Sequence, residues 1–299
     1  MATPASKEEK LKVPGPLVER RKFAAARRDE GRERDAVRYQ AAEELRDGVR
    51  FRIPPEQGYL VVPPGSIDAA GAVVSAGNEV VDEIGHEALR GRARKGGFMA
   101  QKLLPASATD LDSPYMRFAL GEDVVGPIAD YLGLVPVLSE IDIWYSIHGP
   151  KSLRSSQLWH LDHADITQVK VWLHLGDIGP SSGPLTALDA SSSDALADRI
   201  DYDLDTGYRV DDARVDEFVE GTKPVQFEGP TGTVDFIDTS RCFHFGSRLE
   251  PDAPPRRIFY AHYLTPYAFK FRDYREQAPL RHLAPQAPTE LAALVLGGS

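Results

Sequence analysis

The sequence is poor in sulfur: among 299 residues there is one cysteine, Cys242, and three methionines. A single thiol excludes an intrachain disulfide framework and any multi-cysteine zinc or iron–sulfur site. Any bound metal must therefore take its ligands from His, Asp and Glu. Basic charge is also scarce, with 35 Lys and Arg against 45 Asp and Glu, a formal net charge of −10. That balance argues against general affinity for polyanions such as nucleic acid or an anionic membrane. Long apolar runs are missing too. No stretch approaches the roughly 18 residues that a membrane helix needs, and no signal-peptide core is visible. The expectation is a cytoplasmic protein acting on a small molecule, with no nucleic-acid or membrane partner, and with self-association into a homo-oligomer left open.

What is present changes texture along the chain. Residues 1–50 hold 13 Lys/Arg and 10 Asp/Glu, and residues 17–46 are rich in Ala, Glu and Arg. This reads as a charged helical arm with i,i+4 ion pairs, solvated or serving as a dimer contact; nucleic-acid binding is the sharper alternative. Residues 51–299 read as a single domain. Its strand signals are short apolar runs ended by Gly and Pro, at 58–63, 141–147, 157–162, 168–175, 185–188, 225–227, 233–237 and 257–264. Helices are expected over 76–92 and 114–132, the second with Ser113 as N-cap, Pro114 at its first position and Gly133 at its exit. Few helical patterns follow residue 133. The fold class expected is mainly β, a jelly-roll barrel (double-stranded β-helix) braced by helices, rather than a βαβ fold.

The chemistry is concentrated in Gln157-Leu-Trp-His-Leu-Asp162. Side chains alternate along a strand, so His160 and Asp162 would point the same way and could share a metal. With His244 as a second imidazole they would form a two-His, one-carboxylate facial set, the kind that leaves coordination positions open on Fe(II). A second H-x-D pair, His163 and Asp165, starts three residues later. The odd offset puts it on the opposite face of a regular strand, which favours the first pair.

With these residues in view, SQLWHLDHADITQVKVWLHLGDIGPSSGPL resembles the core of the phytanoyl-CoA hydroxylase family of iron(II)/2-oxoglutarate oxygenases. The motifs are Trp159 to Asp162, Asp177-Ile178, Gly183-Pro184-Leu185, Gly229 to Gly232, Asp238, His244 and Arg256, and the resemblance spans about residues 138–265. Family members carry a Pro-Gly-Ser-His-like turn where this chain has Leu188-Asp-Ala-Ser-Ser-Ser. The resemblance implies that His160, Asp162 and His244 are iron ligands and catalytic residues. It further implies that Arg256 binds the distal carboxylate of 2-oxoglutarate, with Ser247 beside it and Trp172 near the co-substrate. Arg257 competes with Arg256 for that role, while Gln157 and Lys170 carry weaker signals. The implied reaction consumes Fe(II)-bound 2-oxoglutarate and dioxygen (O2), hydroxylates a C–H bond of a metabolite and releases succinate and CO2. The presence of Asp162 argues against halogenation. The alternatives are a non-catalytic metal- or ligand-binding jelly roll, and a metal-dependent isomerase or hydrolase on a cupin-like barrel.

The insertion at 190–222 separates the two ligand-bearing regions and is strongly acidic. It reads either as a lid favouring a cationic or amine-bearing substrate or as an ordinary solvated loop. Of the remaining histidines, His86 reads as a helix-surface residue and His148, His174, His262 and His282 carry no assigned role. Cys242 reads as a small buried thiol.

Overall fold

The computed structural model of the chain describes residues 11–149, 152–218 and 223–298. The first ten residues of the expected arm and residues 219–222 of the acidic insertion lie outside the described residues. Among the described residues the strands are β1 (Tyr59–Val62), β2 (Met99–Ala100), β3 (Val137–Ser146), β4 (Gln168–His174), β5 (Thr186–Ala187), β6 (Val225–Gln226), β7 (Val234–Asp238), β8 (His244–Phe245) and β9 (Arg256–Leu264). The helices are α1 (Leu17–Gly31), α2 (Ala36–Leu45), α3 (Ala70–Ile84), α4 (His86–Gly96), α5 (Pro114–Ala119), α6 (Glu122–Leu132), α7 (Ala190–Arg199), α8 (Asp212–Phe218), α9 (Tyr274–Gln277) and α10 (Glu290–Val295). No helix among them is long and apolar enough to cross a membrane.

All strand pairs are antiparallel. Six strands form one sheet in the order β1-β7-β4-β9-β3-β2, and three form a smaller one, β6-β5-β8. Strand alternation gives the large sheet two different faces. Val169, Val171, Leu173, Phe236, Phe259, Ala261 and Tyr263 point to one side and pack in a cluster with residues of α3, α4, α5 and α6. Trp172, Ile237, Ile258 and Tyr260 point to the other and pack with Leu185, Ala187 and Phe227 around the small sheet. Helical residues outnumber strand residues among those described. "Mainly β" therefore describes the site-bearing core, around which the helices wrap.

Local differences from the sequence reading have local causes. The helix expected over 76–92 is two, α3 and α4, because Gly85 sits at φ 84° between them. The helix expected over 114–132 is likewise two. Its ends are as read: the Ser113 hydroxyl accepts from Met116 N at 3.1 Å, and Gly133 closes α6 at φ 68°. Residues 157–162 do not form a regular strand. Trp159 and His160 make single bridges, to Val210 and His244, because the partner β8 is only two residues long.

The amino-terminal helices are docked rather than solvated. Arg38 on α2 is fully buried and donates to the carbonyls of Val135, Pro136, Leu294 and Gly298 at 2.8–3.2 Å. Arg20 on α1 is buried over the Phe269 ring, and Arg27 donates to Phe271 O at 2.9 Å. The chain before α1 is also tied to the acidic insertion, with Leu17 N donating to Tyr202 O and Leu204 N to Gly15 O, both at 3.1 Å. Replacing Arg38 by Met removes the guanidinium's hydrogen bonds to four carbonyls from distant segments. We expect a loss of roughly 3–5 kcal/mol, read as a drop in thermal midpoint on the order of 10 °C.

Candidate metal centre

Three turns bring the site together. Buried Asp238, at the end of β7, accepts from Ser240 N at 3.0 Å, Arg241 N at 3.2 Å and Tyr131 OH at 2.9 Å. This fixes the turn that delivers His244, and burial holds the Asp238 carboxyl up at about 7. Asp177 Oδ1 accepts from both N and Oγ1 of Thr231 at 2.8 Å, joining the Asp-Ile turn to the Gly229–Gly232 turn. Gly183 adopts φ 61°, and a Cβ there would stand 2.7 Å from Arg248 N and Leu249 N. Glycine lets its carbonyl receive Arg256 Nη1 at 2.9 Å and Ser247 N at 3.1 Å.

His160, Asp162 and His244 converge so that one ligand atom from each lies within 4.8 Å of the others. His160 Nε2 is 3.8 Å from Asp162 Oδ1, and His244 Nε2 is 3.8 Å from Asp162 Oδ2. Both rings are oriented from behind. His160 Nδ1 donates to Leu158 O at 2.8 Å and His244 Nδ1 to Cys242 O at 2.9 Å, which leaves both Nε2 lone pairs facing the cluster. Burial drives both imidazoles below their ordinary value, His160 further because His244 adds to the effect. Burial raises the Asp162 carboxyl, but Lys170, His244 and His160 together outweigh it and hold the group well below the usual range. Lys170 Nζ approaches Asp162 Oδ2 to 2.6 Å as an ion pair, framed by the rings of Trp144 and Tyr260.

Imidazoles that stay neutral in the folded protein need not release protons to accept a metal. Apparent Co(II) affinity is therefore expected to stay level as pH falls from 8 to 6.5, where ordinary imidazoles already begin to lose it. It should decline only below that point, as a Co(II) titration across this range would show.

The second H-x-D pair separates. Asp165 is buried and accepts from Thr265 N at 2.8 Å, Thr265 Oγ1 at 2.7 Å and Ile166 N at 2.7 Å, and burial lifts its carboxyl to about 6. His163 is exposed and faces Tyr208 OH at 3.3 Å. The two arginines separate as well. Arg256 turns inward, donating to Ser247 Oγ at 2.8 Å, whereas Arg257 turns outward to Asn78 Oδ1 on α3 at 2.9 Å. Ser247 Oγ also lies 3.1 Å from Ser146 Oγ. No acidic side chain pairs with Arg256 among the described residues, and burial lowers its guanidinium to about 10.

A cavity of about 530 Å³ contains His160, Asp162, His244, Lys170, Trp172, Ser247 and Arg256 in its wall. Gln157 is buried behind it, its amide donating to Ser247 O at 2.8 Å. His174 is taken up by Asp235 at 2.8 Å, and His148 by Leu249 O at 2.6 Å. Sequence reasoning missed Trp144, Arg154, Tyr208 and Arg209, which also line the cavity. Trp159 and Val210 exchange main-chain hydrogen bonds at 3.1 and 2.8 Å, which places Tyr208 and Arg209 beside His160. No local pattern marks that bridge. The divergent segment after Leu188 begins α7, with Asp189 Oδ1 capping Ser192 N at 2.8 Å.

No protein-family description and no curated protein matches the chain. Solved structures do resemble it. EctD from S. alaskensis with bound Fe is 16% identical at a TM-score of 0.49, the match covering 70% of this chain and 73% of that one. The epimerase SnoN, in complex with Fe3+, alpha ketoglutarate and nogalamycin RO, is 18% identical at 0.49, covering 77% and 85%. AviO1 from Streptomyces viridochromogenes Tue57 is 20% identical at 0.45, covering 77% and 96%. The functional reading rests on the chain's own residues.

Proposed function

We propose that this protein is an Fe(II)- and 2-oxoglutarate-dependent dioxygenase on a jelly-roll core, hydroxylating a small-molecule metabolite. The observation that carries the reading is the pairing, in one cavity, of a two-His, one-carboxylate cluster with a buried guanidinium that has no acidic partner among the described residues. The cluster fits a divalent metal because both Nε2 atoms and the carboxylate face one another while the Nδ1 atoms are engaged behind. Arg256 with Ser247 fits a carboxylate, since a guanidinium offers a planar fork and the hydroxyl a further donor.

Bound Fe(II) and 2-oxoglutarate would supply the activation of dioxygen. The chain's own groups set the conditions for it. His160, Asp162 and His244 would hold the metal, while the Leu158 and Cys242 carbonyls keep the imidazoles turned towards it. Lys170 holds the Asp162 carboxylate in its charged form and restrains its orientation. Arg256 and Ser247 would anchor the distal carboxylate of the co-substrate, and the Trp172 and Trp144 rings line the same cavity. The buried Arg256 beside the cluster favours this reading over a metal-dependent hydrolase, whose chemistry needs only the metal set. Anaerobic addition of Fe(II) and 2-oxoglutarate should give a weak visible charge-transfer band, and admission of oxygen should give succinate. Metal binding without the band and without succinate would refute the proposal.

A further inference from the structure

We infer that the substrate of this site carries an anionic group, a carboxylate or a phosphate monoester, held by Arg154 and Arg209. The inference rests on the oxygenase reading and adds the substrate class to it. Among the described residues, the charged side chains lining the cavity, imidazoles aside, are Lys95, Arg154, Lys170, Arg209 and Arg256 against Asp162 alone. Two of those cations have work assigned: Lys170 pairs with Asp162, and Arg256 serves the co-substrate. Lys95 and Arg154 are both exposed at the rim, and of the two only Arg154 carries a planar fork that matches a carboxylate or phosphate.

Arg154 and Arg209 remain, contributed by separate segments. Neither guanidinium has a hydrogen-bond or ion-pair partner among the described residues; Arg154 bonds Gln157 only through its main-chain N. Arg209 is half-buried with its guanidinium 4.2 Å over the Tyr208 ring, and its Nη1 is buried without an acceptor. A buried donor on a permanent cation is costly until an acceptor arrives. Arg154 lies against Gly97, which sits at φ 106° and where a Cβ would collide with the guanidinium. The backbone there leaves room for the arginine head at the cavity wall.

The insertion that supplies Arg209 is acidic, yet none of its acids lines the cavity among the described residues. Asp194 pairs with Arg21 and, at 3.1 Å, with Arg241. Asp212 receives both Nη atoms of Arg248 at 2.9 and 2.8 Å. What the insertion presents to the cavity is Tyr208 and Arg209. The expectation of a cationic or amine-bearing substrate is thereby reversed, since an ammonium group would meet like charge here. A carboxylate or phosphate would instead receive charge-assisted hydrogen bonds from planar forks.

The test uses the full chain, anaerobic and saturated with Fe(II) and 2-oxoglutarate, titrated with octanoate, octyl phosphate, octanamide and octylamine. The visible charge-transfer band reports binding. Expected is a perturbed but retained band, with at least one anionic probe bound about tenfold or more tighter than the amide and the amine. The tighter of the two anions identifies the group. The combined Arg154→Gln, Arg209→Gln variant should bind both anions no better than octanamide. Amide or amine binding as tight as the anions in the unmodified chain would overturn the inference, whatever the variant does. So would bleaching of the band, which means displacement of 2-oxoglutarate from Arg256, or an anion preference that survives in the folded variant. A chain that gives no band before any probe is added loses the oxygenase reading and this inference with it. A band without anion preference overturns only the inference.

Discussion

Asp162→Ala is expected to cost the protein its divalent metal, weakening Co(II) or Fe(II) binding by at least about 100-fold and reducing 2-oxoglutarate-dependent succinate formation to background. Outer-shell partners of metal ligands alone account for roughly 10–100-fold, and Asp162 is the one carboxylate in the cluster. The substitution has a second consequence, because Lys170 is only 11% exposed and pairs with Asp162 at 2.6 Å. Removing the carboxylate strands an ammonium group beside two buried imidazoles, so the metal-free protein should also unfold more easily. The two effects can be parted. Adding Lys170→Met to the Asp162→Ala chain should restore the thermal midpoint while leaving metal binding lost. Recovery of metal binding in that double variant would remove Asp162 from the ligand set.

Arg256→Gln should show the opposite balance, large for the co-substrate and small for the fold. Losing one partner of a buried charge-assisted pair costs roughly 3 kcal/mol, on the order of 100-fold in 2-oxoglutarate affinity. In the metal-free protein the guanidinium is buried without an acidic partner, which is why its pKa falls to about 10. The cation's folded-state value lies below its unfolded one, so its burial cost is fully present at neutral pH and is relieved only as pH rises through about 10. The variant gives up hydrogen bonds to Gly183 O and Ser247 Oγ, about 1 kcal/mol each, and sheds that cost. Its unliganded melting temperature should therefore move little. The rise in midpoint that saturating 2-oxoglutarate gives the unmodified protein, about 2.7 kcal/mol at 100 times Kd, should disappear. An undiminished rise would place the co-substrate carboxylate elsewhere.

Strand alternation made much of this visible in advance. In RRIFYAHYL it separates Arg256, Ile258 and Tyr260 from Arg257, Phe259 and Ala261, and the two sets do face the small-sheet side, where Arg256 reaches the cavity, and the helices respectively. Ser113 and Gly133 marked helix ends because capping and left-handed exit are local events. Residues 157–162 were harder, since whether an extended segment becomes a strand depends on its partner's length. Asp165 was ambiguous for a similar reason: Thr265, which engages its carboxylate, is a hundred residues away. The charged arm looked solvated because a charge pattern does not reveal that Arg38 will find four carbonyls from distant segments. The acidic insertion was the least legible. Net composition cannot tell which acids meet arginines from α1 or the β7–β8 turn and which side chains turn inward.

The tie between the amino-terminal segment and the insertion passes through Tyr202. Its main chain receives Leu17 N, while its hydroxyl receives Leu161 N at 3.2 Å and donates to Tyr208 O at 2.8 Å. Leu161 lies between His160 and Asp162. One tyrosine, through its carbonyl and its hydroxyl, therefore links the amino-terminal approach to α1, the residue between two metal-cluster side chains and the loop that carries Arg209. Cutting the chain after Leu17, or fusing a bulky partner just before it, would change the active cavity from outside without altering any residue that lines it.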